Sequence, residues 1–221
     1  MILFMDFKIT LKNVRKNFSR LLVFDSVNFE LTIGSSLAIA GKNGSGKSTL
    51  VKIIAGLLSP SAGEVIYQID GKKIDKLDWF KYIGFVAPYL QLYDEFTGYE
   101  NLEILARIRG LKNYKNKIEE VLKRVNLYAR RDDLVRGYSS GMKQRLKYAC
   151  ALLHEPIVLI LDEPTSNLDA EGVEMVWKIA QEQKKKGILI VATNEAEELQ
   201  MCEEVINLDE LKLKSREQIV K

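Results

Sequence analysis

Gly41-Lys42-Asn43-Gly44-Ser45-Gly46-Lys47-Ser48-Thr49 fits the pattern G-x-x-x-x-G-K-[ST], which describes a loop that wraps phosphate groups. The neighbouring residues supply the setting such a loop needs. Ser36-Leu37-Ala38-Ile39-Ala40 ahead of it is a short apolar run suited to a buried strand. Behind it, Leu50, Ile53, Ile54 and Leu57 recur at helical spacing. Gly41, Gly44 and Gly46 let the backbone curl until successive N–H groups point inward at phosphate oxygens. The start of the following helix adds a further positive end. Asn43, Ser45 and Thr49 complete the expected cradle, with Lys47 reaching the β- and γ-phosphates and the Ser48 hydroxyl reaching Mg²⁺. A glycine turn matching the pattern by accident would lack the strand and the helix.

Composition narrows what the loop can serve. The chain has 221 residues, 47% of them hydrophobic, enough to bury a core as one domain or as one domain with an insertion. Lys and Arg total 33 against 30 Asp and Glu, a net charge of +3. That is no nucleic-acid footprint, and no nucleic-acid partner is expected. Cys150 and Cys202 stand far apart without metal or redox spacing, as reduced thiols of a cytosolic protein would. No apolar run reaches the ~18 residues that cross a bilayer. Met1–Met5 is apolar, but too short and without the basic start of a signal peptide.

Strands and helices alternate along the chain. Phe7, Ile9 and Leu11, then Val27, Phe29 and Leu31, alternate with polar neighbours and predict half-buried antiparallel strands. A further strand pair is expected near 64–67 and 83–86. Thr97 and Glu100 form a capping box for a helix through Leu102, Leu105 and Ile108 to Gly110. Ile118, Val121, Leu122 and Val125 mark a second helix, and Met142, Leu146, Ala149, Cys150 and Leu153 a third. From Ile157 the alternation resumes, with strands at 157–161 and 188–192 around a helix through Val173, Val176 and Ala180. The pattern is a parallel α/β core interrupted by a helical insertion at about 88–145.

Ile157-Val158-Leu159-Ile160-Leu161-Asp162-Glu163 delivers two carboxylates to the end of a doubly buried strand. Beside a phosphate loop, Asp162 is the candidate to hold the metal and Glu163 to polarise the attacking water. Isolated, the pair would be solvated acids ending a strand. Tyr138-Ser139-Ser140-Gly141-Met142-Lys143-Gln144-Arg145 opens a helix, with 17 residues between Gln144 and Asp162. Ser139 reads as its N-cap, and a capped helix start with bare amides suits an anion.

Together these motifs resemble the ATP-binding cassette (ABC) ATPases, whose signature is commonly L-S-G-G-Q, and the resemblance covers essentially the whole chain. It implies a single nucleotide-binding domain over residues 1–221. A RecA-like P-loop NTPase core (about 1–87 and 146–221) would carry an N-terminal antiparallel β-subdomain and a helical subdomain (about 88–145). It also implies ATP and Mg²⁺ as ligands and ATP hydrolysis as the activity. Ser139 and Gly141, with Asp169 of the Asp162–Asp169 segment, would contact the nucleotide of a second protomer, in a homodimer or with a paired ABC ATPase. Phe18, 23 residues ahead of Gly41, falls where the family stacks an aromatic on adenine, although a lone Phe is usually core.

Two positions depart from the family pattern. Most members end the strand at 83–86 with a Gln that touches Mg²⁺. Aligned without gaps that position is Pro88; either Gln91, three residues on, reaches the metal from a rearranged loop, or the contact is missing. Members also carry a His at the γ-phosphate switch. Here Ile188–Glu195 places Asn194 there, and Asn donates a neutral hydrogen bond but carries no proton or charge. Slow hydrolysis with intact ATP binding is the expectation.

The single histidine, His154, reads as the end of the helix before the acidic strand, far from the nucleotide. Lys184–Lys186 reads as a solvated helix end. The basic residues of the insertion read as a solvated face, or as one near anionic lipid if a partner docks there. Two functions remain open. One is the energy-coupling subunit of a transporter with separately encoded membrane-spanning subunits. It would be cytoplasmic and peripheral at the inner membrane face, and the short chain and Y-S-S-G-M-K-Q-R signature resemble exporter-type subunits, including those of haem export. The other is a non-transport ABC ATPase working as an ATP-gated clamp on an envelope or other protein complex.

Overall fold

The computed structural model describes residues 6–211; Met1–Met5, read above against a signal peptide, lies outside the described residues. In chain order the elements are β1 (Phe7–Phe18), β2 (Leu21–Thr32), β3 (Ser36–Ala40), α1 (Lys47–Ile54), β4 (Ala62–Ile69), β5 (Lys72–Lys73) and β6 (Ile83–Val86). Then follow α2 (Gly98–Ile108), α3 (Tyr114–Arg124), α4 (Ser140–Leu152), β7 (Val158–Asp162), α5 (Ala170–Lys186), β8 (Ile188–Thr193), α6 (Ala196–Leu199) and β9 (Glu204–Asn207). Short 3₁₀ turns lie between β5 and β6 and between α3 and α4.

Two sheets form. One is antiparallel, in the order β2-β1-β4-β5; the other is parallel, in the order β6-β7-β8-β3-β9. The segments at 64–67 and 83–86 are strands but do not pair with each other. Tyr67 of β4 lies opposite Ile9 of β1, whereas Phe85 of β6 lies opposite Ile160 of β7. The two runs have similar composition, so only the long-range partner decides their sheet.

The parallel strands alternate between two cores. Leu159, Leu161, Leu189 and Val191 pack with Leu146, Ala149, Val176 and Ile179 of α4 and α5. Val158, Ile160, Ile188 and Ile190 face the other way, onto Leu50, Ile53 and Ile54 of α1 and onto Phe7, Ile9 and Leu11 of the antiparallel sheet. Both faces of β7 and β8 are therefore dry, which is why their sequence is a continuous apolar run. At roughly 1.5–3 kcal/mol per buried aliphatic side chain, this double layer is the main source of rigidity beneath the site.

Local signals set the helix starts. The Thr97 hydroxyl accepts from Glu100 N–H while the Glu100 carboxylate accepts from Thr97 N–H, a complete capping box for α2. Ser139 Oγ accepts from Met142 N–H to cap α4, and Asp169 caps α5 through Gly172 N–H. Because the parallel strands run in register, Ala40 beside Thr193 and Asp162 beside Ala192, their carboxyl ends open on one edge. Residues 41–49, 87–91, 163 and 194 all leave the sheet there.

Cys150 and Cys202 are unpaired, and burial pushes each thiol up to about 12. His154 follows α4. Burial, helped by the nearby Arg109 and Lys117 charges, pushes it from 6.5 down to about 4, against the opposing Ile83 carbonyl at 3.0 Å from Nε2. The folded chain thus refuses a proton that the unfolded chain accepts. Its contribution to stability is full above pH ~6.5 and is lost as pH falls toward 4, on the order of 3 kcal/mol at most. His154→Gln is expected to flatten that part of the dependence, read as the urea midpoint between pH 7 and pH 4.5; an unchanged slope would remove His154 from the account.

Candidate functional site

The phosphate loop is shaped by positions where no side chain fits. Gly46 has φ 110° and an added Cβ would lie 2.5 Å from Val23 Cγ1. At Gly41, φ 149°, a Cβ would lie 2.5 Å from Ser45 Oγ. The Lys47 ammonium bends back over the loop and donates to the Gly41 carbonyl at 2.7 Å and the Lys42 carbonyl at 3.1 Å. Ser45 Oγ is buried with no hydrogen-bond partner in the described chain. The first turn of α1 carries no acidic residue and no side-chain cap, which leaves its amides for an anion. From outside, Asp209 accepts Lys42 N–H at 2.9 Å and pins the loop to the end of β9.

Asp162 stands at the end of β7, buried, and burial raises its pKa above the ordinary carboxylate value. The neighbouring Ser48 and Tyr89 hydroxyls and the Lys52 and Lys47 charges oppose that rise. Asp162 Oδ2 accepts from the Tyr89 hydroxyl at 3.1 Å, while Oδ1 has no hydrogen-bond partner in the described chain. One orphaned carboxylate oxygen beside a serine hydroxyl fits a small hard cation. No group of three or more His, Cys, Asp or Glu side chains suited to a metal exists among the described residues. A lone carboxylate beside a hydroxyl suits Mg²⁺, which relies on one or two carboxylates together with substrate phosphates.

Glu163 adopts φ 50° and its N–H donates to the Ala192 carbonyl. That left-handed conformation costs a non-glycine residue on the order of 1–2 kcal/mol and turns the chain sharply out of the sheet. The Glu163 carboxylate makes no hydrogen bond or ion pair with the described chain.

Gln91, the candidate metal contact, makes no hydrogen bond to Asp162 or Ser48 among the described residues. It is exposed and lines an apolar groove with Phe85, Leu90, Leu92, Ile104 and Ile108; the residue of this loop that touches Asp162 is Tyr89. Sequence reasoning missed Tyr89, although the gap-free placement of Pro88 stopped one residue short of it. Asn194 is exposed and lines the loop mouth with Gly41, Lys42 and Asn43, its Nδ2 donating to Glu195 Oε1 at 3.1 Å. Phe18 is 49% exposed at the end of β1, with the Lys16 ammonium 4.9 Å from its ring centre.

Ser139 is exposed, and Gly141 packs against the Asn167 carbonyl, 3.1 Å from an added Cβ. Asp169, read as a residue facing a second protomer, has an occupied Oδ1. It accepts from Arg145 at 2.7 Å and from Gly172 N–H at 2.9 Å. Sequence alone gave no sign of this Arg145 tie, nor of Glu198, buried in α6, which accepts from Thr165 N–H at 3.0 Å.

A glycine cradle with its lysine, an orphaned buried carboxylate and an unpaired glutamate on one edge of a parallel sheet define a P-loop nucleoside triphosphatase. The chain belongs to the ABC transporter family, whose sequence profile matches residues 24–166, and it is an ABC ATPase. It is 38% identical, over 92% of this chain and 67% of the relative, to the uncharacterized ABC transporter ATP-binding protein YhcH of Bacillus subtilis (strain 168). It is 33% identical, over 92% of this chain and 97% of the relative, to the putative hemin import ATP-binding protein HrtA of Staphylococcus haemolyticus (strain JCSC1435). Among solved structures, the dimeric post-hydrolysis state of an ATP-binding cassette bound to ADP and Pi matches with TM-score 0.80 and 27% identity. The match covers 90% of this chain and 93% of that one.

Proposed function

We propose that this chain is the ATP-hydrolysing subunit of a transporter whose membrane-spanning subunits are separate chains. Two copies, or one copy and a paired ABC ATPase, close head to tail over two ATP molecules. The observation that carries this reading is the capped start of α4: Ser139 is exposed, Gly141 packs against the Asn167 carbonyl, and Ser139 makes no hydrogen bond to residues 41–49 of its own chain. Ser139 and Gly141 then serve the γ-phosphate of the second copy. Asp169, held by Arg145, keeps the turn at 164–169 in shape against that copy.

Within one copy, the amides of residues 41–46 and Lys47 take the phosphates, and Phe18 stacks on adenine. Ser48 and Asp162 would hold Mg²⁺, which would supply positive charge against the phosphate oxygens. Glu163 accepts the proton of the attacking water. Of the described residues, those from about 88 to 145 serve as the helical subdomain and the rest as the core. The chain attaches to the cytoplasmic face of the membrane through its membrane-spanning partner; no helix among the described residues is long and apolar enough to cross a membrane.

The partner's surface on this chain is the groove of Leu90, Leu92, Ile104 and Ile108, which offers apolar area between the core and α2. Ile108 is 73% exposed, so Ile108→Glu leaves the fold intact. The tagged wild-type chain is expected to co-purify with a polytopic protein from detergent-solubilised membranes, and Ile108→Glu to lose that partner while still binding ATP. Recovery only of a soluble or single-span partner would instead favour an ATP-gated clamp, the reading that the departures at Pro88 and Asn194 keep open.

A further inference from the structure

The loop after β6 reaches the acidic strand by one side chain, Tyr89. Its hydroxyl donates to Asp162 Oδ2 at 3.1 Å, and the other oxygen of that carboxylate, Oδ1, is buried and without a hydrogen-bond partner in the described chain. A carboxylate fixed at one oxygen cannot rotate freely about its Cβ–Cγ bond, so the bond to Oδ2 decides where Oδ1 points. The ring itself is held. Lys52 of α1 places its ammonium 3.9 Å from the ring centre, and Phe85 packs at 6.3 Å. One residue back, the Pro88 carbonyl accepts from Lys147 of α4 at 2.6 Å. Lysines from both sides therefore fasten the loop, while the next residues, Leu90 and Gln91, line the apolar groove.

We propose that Tyr89 is the positioning residue of the metal site: its hydroxyl orients Asp162 so that Oδ1 faces the divalent cation bound with nucleotide. The inference rests on the ATPase reading above, since it needs a cation at Asp162 and Ser48. The same contact joins the groove to the site, because a shift of Leu90 and Gln91 drags the adjoining tyrosine away from the carboxylate.

Tyr89→Phe tests it, because phenylalanine keeps the ring between Lys52 and Phe85 and removes only the hydroxyl. The probe is Mn²⁺, titrated by electron paramagnetic resonance in the presence of AMP-PNP. Loss of a hydrogen bond to a charged group predicts roughly tenfold weaker Mn²⁺ binding. Affinity for AMP-PNP in EDTA and the melting temperature stay unchanged. In turnover, the Mg²⁺ concentration for half-maximal rate rises by a similar factor while the rate at saturating Mg²⁺ changes little. On an Asp162→Asn background the same substitution is expected to do nothing further to Mn²⁺ affinity. Mn²⁺ affinity within twofold of wild type in Tyr89→Phe overturns the proposal, as does an equal loss on the Asp162→Asn background. Wild-type protein that binds AMP-PNP but shows no nucleotide-dependent Mn²⁺ binding overturns the metal site itself. One that binds neither overturns the ATPase reading with it.

Discussion

Glu163→Gln is expected to lose ATP turnover by about 10²–10⁴-fold, the range of a lost general base, and to accumulate as an ATP-bound dimer. The geometry gives the substitution this weight. Glu163 leaves β7 at φ 50°, pinned by its N–H to the Ala192 carbonyl, immediately after the residue assigned to the metal. Its carboxylate has no ion-pair or hydrogen-bond partner in the described chain, so no structural bond competes with water for it. Glutamine matches it in size but cannot take a proton from water, and it removes a negative charge facing the phosphates. Binding therefore survives and the step that ends the bound state does not. On the proposed head-to-tail closure, the closed pair binds ATP more tightly than the separated chains, so ligand linkage drives association as long as ATP persists. Phosphate release reads the first effect. A sizing column run with and without saturating Mg-ATP reads the second, and a variant that stays monomeric with ATP would falsify the head-to-tail closure.

How much of this was legible in the sequence depended on how local each feature is. The phosphate loop, the capping box at Thr97 and Glu100 and the doubly buried strand before Asp162 are each written within ten residues, because glycine conformation, capping and apolar runs are short-range properties. The sheet assignments of β4 and β6 were not legible, since both are brief apolar runs and their partners β1 and β7 lie far away in the chain. β9 carries half-buried and exposed residues only and lies at the edge of the parallel sheet, so it lacks the continuous apolar signal of β7. The site divides the same way. Lys47 and Glu163 follow from their own neighbourhoods. The link from Tyr89 to Asp162 spans 73 positions, and nothing next to Pro88 announces it. The Arg145 tie to Asp169 spans 24; the exposed aspartate read as facing a second protomer also uses its carboxylate as a helix cap and an ion-pair partner, which its neighbours in the chain do not announce.

Asn194→His is expected to raise turnover on the order of 10²-fold, the scale of a group that stabilises charge in the transition state. Asn194 stands where β8 ends, at the mouth formed by Gly41, Lys42 and Asn43, so its side chain is within the phosphate environment without being part of the cradle. The turn that presents it is fixed independently, by Glu195 N–H donating to Thr193 Oγ1 at 2.9 Å, and so survives the substitution. At present Nδ2 donates to Glu195 Oε1 at 3.1 Å. An imidazole in its place gains a proton that Glu195 helps retain and a positive charge that an amide never carries. The effect is confined to the chemical step: the apparent ATP affinity, set by residues 41–49, stays within a few-fold, while kcat rises. The rate also acquires an ionisation near pH ~6.5 that the wild type lacks, which separates charge from mere geometry. Asn194→Ala, which has neither, falls below the wild type. Steady-state phosphate release from pH 5.5 to 8.5 measures all three. If histidine leaves kcat and the pH profile where asparagine had them, the rate is limited elsewhere and Asn194 is a sufficient switch as it stands.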